Sequence, residues 1–172
     1  MLSLKDFEKN YEKEKGKKTE KYVVGYCLNN GRIFILDKKD FPKKGHNEEE
    51  FEKVMRHEMC HIFFRRFFYP KKISIWIEEG LCHFLSFGDV YSNVKNFISF
   101  EKIKNNADWY KNPVYNQSKE FFRFLFNNYG EKRVLDFLKE LKKNSEETSF
   151  KKAFGKSLNN LEKKFRKSLK NE

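Results

Sequence analysis

Leu4, Phe7 and Tyr11 recur at helical spacing, which predicts a short amphipathic helix over 2–18 that runs into a charged, solvated stretch. Two β-rich runs follow, 22–28 and 32–36, around Asn29-Asn30-Gly31. Runs of that kind about a Gly-containing turn predict a β-hairpin. The 41–45 segment, with Pro42, reads as a loop. A long helix is expected from about Asn47, where Glu50 three residues on makes a capping-box pattern. Phe51, Val54, Met55 and Ile62 keep its period, and Pro70 ends it after an aromatic run over 63–69 that reads as core or interface material. A second helix is expected from about Ser74. Residues 88–112 are turn-rich and keep no clear period. A third helix follows Pro113, over 115–129, with Gly130 as its C-cap. Two more are expected at about 131–144 and 157–170, joined by a polar stretch. The pattern predicts an α+β fold in one compact domain over 1–172. Its first part, 1–70, would hold a small antiparallel or mixed sheet and the long helix, and 71–172 would be a mostly helical lobe.

Composition changes that picture little. With 20 Phe, 8 Tyr and 2 Trp in 172 residues, the chain has bulky core material despite a mean hydropathy of -0.87. The formal net charge is +12, which suggests acidic partners or surfaces and says nothing about fold. Acidic residues are interspersed and no nucleic-acid module is visible, so a nucleic-acid partner is admitted without being favoured. Cys27, Cys60 and Cys82 make no C-x-x-C pair; they suggest neither a disulfide framework nor a zinc ribbon and fit a reducing compartment. The first residues have no apolar signal core, and no apolar run is long enough to span a bilayer. A cytoplasmic protein without a membrane partner is expected, its oligomeric state open.

The candidate chemistry lies in His57-Glu58-Met59-Cys60-His61. On a helix, residues four apart sit about 40° from one another around the axis, so both imidazoles share one face and can ligate one zinc ion. Glu58 projects about 60° to the side of His61, able to work as general base and acid on a water at the metal. That is why H-E-x-x-H on a helix reads as a metallopeptidase site. A third ligand is required, and three protein ligands leave the fourth position open, as in a catalytic zinc.

Trp76-Ile77-Glu78-Glu79-Gly80-Leu81 resembles the W-x-x-E-G signature that follows H-E-x-x-H in the gluzincin metallopeptidases, the thermolysin-like and aminopeptidase-like peptidase MA group. The resemblance continues through Tyr115-Asn116-Gln117-Ser118 and Tyr129-Gly130, and more weakly through Ala153-Phe154-Gly155. It implies a zincin-like fold, one zinc per chain, Glu79 rather than Glu78 as third ligand, and hydrolysis of peptide bonds in peptides or unfolded segments. It also implies that Tyr115 hydrogen-bonds the developing oxyanion. One position departs from the pattern. Where the group has a carboxylate four residues after the ligand glutamate, this chain has His83. Glu78, Asp89 or a backbone carbonyl would then steady a zinc-binding histidine, and His83 itself stands as an alternative ligand. A latent or non-catalytic zinc protein, with its basic tail over 163–170 in the cleft, is the competing expectation. The substrate is expected along the outer strand, 32–36, by strand addition.

Overall fold

The computed structural model describes residues 1–88, 90–94, 96–103, 108–109 and 114–169. They fall in two compact units, Met1–Phe67 and Phe68–Glu172.

In the first unit, helix α1 (Leu4–Lys15) is capped by Ser3, whose hydroxyl accepts from the Asp6 N–H, and ends at the left-handed Gly16. Its Phe7 and Tyr11 rings meet Tyr26 edge-on at 5.5 and 5.1 Å. Strands β1 (Gly25–Cys27) and β2 (Ile33–Ile35) pair antiparallel, with Tyr26 opposite Phe34. Gly31, at φ 84°, supplies the left-handed residue of the turn. Leu2 makes a parallel bridge to Leu36, donating to the Ile35 carbonyl and accepting from the Asp37 N–H. The margin of the expected outer strand is therefore partly taken by the chain itself. Lys38–Lys44 winds into a 3-10 turn around the fully buried Phe41. A second 3-10 turn, Glu48–Glu50, leads into α2 (Phe51–Phe68), and Asn47 makes no side-chain capping bond.

The second unit is helical. It contains α3 (Ile75–Phe87), α4 (Tyr115–Lys143), α5 (Glu146–Phe154) and α6 (Leu158–Ser168). α4 is broken at Gly130 (φ 79°, ψ 160°), where the sequence placed a helix end. α5 lies where a polar linker was expected. Ser145 caps it by accepting from the Thr148 N–H, and Phe150 and Phe154 give it a buried face. The core is aromatic: Trp76 stacks on Phe100 at 4.0 Å, and Phe121, Phe137, Phe150 and Phe165 fill in around them. α6 contributes Leu158, Leu161 and Phe165 to this core, so the basic tail is part of the packed unit at Phe165.

Within the turn-rich stretch 88–112, polar side chains of α4 and α6 hold the backbone at Val90, Ser92, Ile98 and Phe100. Lys119 donates to the Val90 carbonyl at 2.6 Å, and Glu120 accepts from the Ser92 N–H at 2.9 Å. Gln117 bonds both backbone groups of Ile98. Glu162 accepts from the Phe100 N–H at 2.6 Å and from the Ser99 hydroxyl. These groups supply partners to backbone that no regular element satisfies.

The expected α+β, zincin-like class does not hold. The described chain is mostly helical, and its sheet is two strands of three residues each. The β-rich runs pair only at their centres. No further strand can join before α2, because the intervening residues, with Pro42, wind into 3-10 turns.

Candidate metal centre

The motif occupies the middle of α2. Its two histidines project as the helical spacing requires. Their Nε2 atoms are 3.0 Å apart, with the rings nearly perpendicular (88°). Two imidazole nitrogens bound to one zinc at about 2.0–2.1 Å in tetrahedral geometry lie a little over 3 Å apart, so the pair fits that ion. His61 is 4% exposed and His57 is half-buried.

Glu58 is also buried, 7% exposed. It packs against β1 at Gly25, where an added Cβ would come 3.3 Å from the Glu58 carboxylate and 2.8 Å from Val54 Cγ1. Gly25 is thus a supporting residue of the site. Its signal in the sequence was a glycine inside a β-rich run, which marks close approach of a neighbour.

Glu79 lies on α3, one turn after Trp76, whose 1% exposure and stack on Phe100 anchor the helix start. Gly80, beside it, lets α4 approach: a Cβ there would meet Ser118 Cβ at 2.7 Å and the Ser118 carbonyl at 2.9 Å. The Glu-Gly pair therefore couples a candidate ligand to a helix crossing only glycine permits. His57, His61 and Glu79 offer one ligand atom each, and these atoms lie within 4.8 Å of one another. Glu78 and His83 are not in that group. The His83 ring instead neighbours Phe87 at 5.0 Å and Tyr115 at 6.4 Å. Tyr115, first residue of α4, also meets Trp109 edge-on at 4.5 Å. Asp89 and Pro113 lie outside the described residues.

No protein-family model matches the chain, and no solved structure matches it. Among curated proteins it is similar to "Uncharacterized protein YhcO" of Bacillus subtilis (strain 168), 26% identical over 133 residues that cover 69% of this chain and 41% of the relative. The chain thus spans about two fifths of that relative's length. That name assigns no activity, so the functional reading rests on the residues.

The remaining histidine, His46, is a structural tie. Its Nδ1 lies 2.6 Å from Glu50 Oε2 and its Nε2 2.8 Å from the Tyr22 carbonyl oxygen. Cys27 is buried, 4% exposed, and the Arg65 guanidinium donates to its Sγ at 3.2 Å. Among the described residues no helix is long and apolar enough to cross a membrane.

Proposed function

We propose that the chain is a zinc-dependent peptidase in which His57, His61 and Glu79 hold one zinc ion. The observation that carries this reading is the pair of Nε2 atoms 3.0 Å apart, with the Glu79 carboxylate as the third donor of the group. Two imidazoles and a carboxylate match the donor set of catalytic rather than closed structural zinc. The likeness of the H-E-x-x-H and Glu-Gly segments to gluzincin peptidases supports the same assignment.

Zinc bound there supplies a Lewis acid and lowers the pKa of a water toward neutrality. Glu58 takes the proton from the attacking water and returns it to the departing amine. Glu58 follows His57 on α2, is buried, and packs with its carboxylate against Gly25 of β1. Tyr115 would donate its phenolic hydrogen to the oxyanion that forms on the substrate carbonyl. The substrate is a peptide or an unfolded segment.

The test is metal content and cleavage on one preparation. The proposal expects about one zinc per chain and casein cleavage that a chelator abolishes and added zinc restores. Glu58→Gln should retain zinc and lose cleavage. A Glu58→Gln variant that cleaves as fast as the parent would overturn the mechanism, and a parent that binds no zinc would overturn the assignment.

A further inference from the structure

α2 has a second face that this chemistry leaves unused. Met55, Met59, Phe63 and Phe67 follow at intervals of four and are 38%, 41%, 64% and 42% exposed. Residues four apart advance by about 40° around a helix, so they form one stripe, centred about 160° from the His57–His61 face. Single exposed apolar residues are ordinary on a protein surface, but a contiguous run of large ones marks an interaction site.

We propose that this face docks onto an anionic phospholipid surface. The shape favours lipid over a peptide. Glu52, Arg56 and Arg66, which flank the stripe, are exposed as well, so the apolar side chains form a ridge without walls. A ridge offers a helical peptide no groove, whereas a bilayer interface deforms around it. The charge points the same way. Arg56 and Arg66 can lay their stems along the apolar line and reach headgroup phosphates. The net charge of +12 attracts anionic headgroups and opposes pairing with a second copy of the chain. No described helix is apolar enough to span a bilayer, so the association is in-plane and peripheral.

Sedimentation with vesicles tests this, using phosphatidylcholine alone or mixed with phosphatidylglycerol. The full chain should pellet with the mixed vesicles, less so as salt rises, and not with phosphatidylcholine alone. Met55→Ser/Phe63→Ser should bind about tenfold more weakly or worse, with zinc content unchanged because neither residue faces the metal. In a second arm, Phe63→Trp should shift its emission to the blue on adding mixed vesicles. The proposal is overturned if the parent stays in solution with mixed vesicles, if the double variant binds as well as the parent, or if the Phe63→Trp emission does not move. It is also overturned if the parent forms a dimer that the double variant cannot, since the stripe would then serve a second copy.

Discussion

Gly25 and Glu58 are in close approach: a methyl group on the Gly25 α-carbon would sit 3.3 Å from both the Cγ and the Oε1 of Glu58. The strand thus forms one wall of the space in which the proposed general base must hold its carboxylate. A catalytic base needs an orientation fixed by its surroundings, and here the fixing element is a residue with no side chain.

Gly25→Ala should therefore lower cleavage about tenfold or more while leaving zinc content unchanged, because a small displacement of a catalytic group is costly. The tightest new contact, 2.8 Å, falls on Val54 Cγ1. Adding Val54→Ala should relieve it and recover part of the rate. Steady-state cleavage and metal analysis on the single and double variants check this.

His57→Ala and His61→Ala should each abolish stoichiometric zinc, since one imidazole and one carboxylate rarely retain the ion. Equilibrium dialysis followed by elemental analysis is the measurement. Loss of zinc in neither variant would place the metal elsewhere.

Gly80→Ala should destabilise the second unit by about 1–3 kcal/mol, the usual cost of forcing a group into a packed contact. The obstacle is backbone as well as side chain, with the Ser118 carbonyl 2.9 Å from the added Cβ. A shift in the urea midpoint at unchanged slope would show it.

Tyr26→Phe should be neutral or stabilising by up to about 1 kcal/mol. The Tyr26 hydroxyl is buried without a hydrogen-bond partner. Burial, helped by Glu14 and Tyr11, pushes its phenol up to about 12. Clear destabilisation in thermal unfolding would indicate a bond that this geometry lacks.

Glu162 gives a pH signature. Burial raises its carboxyl above the ordinary range, against the lowering effect of the Phe100 and Ser99 donors. In the unfolded chain it ionises near its usual value of about 4.3. As pH rises past that value, the unfolded state loses its proton first and stability falls until the folded group has also titrated. Glu162→Gln does not titrate, so its stability relative to the parent should increase between about pH 4 and about pH 8. Urea unfolding at both values checks the sign, and a constant difference would contradict it.

Local signals settled much of this molecule. The helical spacing of His57 and His61 fixed their common face, because 3.6 residues per turn allows nothing else within one helix. The Asn-Asn-Gly turn, the break at Gly130 and the position of α3 also follow from residues near one another in the chain. The tertiary structure decided the rest. The β-rich runs pair with each other only over three residues each, and beside that pair the chain sets Leu2 against Leu36 and the α1 rings against Tyr26 rather than a further strand. Lys119 and Glu120, charged residues of α4, are both 2% exposed and bind the backbone at Val90 and Ser92. Of the aromatic run, Phe64 and Phe68 are buried while Phe63, Phe67 and Tyr69 face outward. Composition cannot distinguish these cases, since burial depends on which distant segment packs over a residue, and spacing along the chain records only what lies within a turn or two.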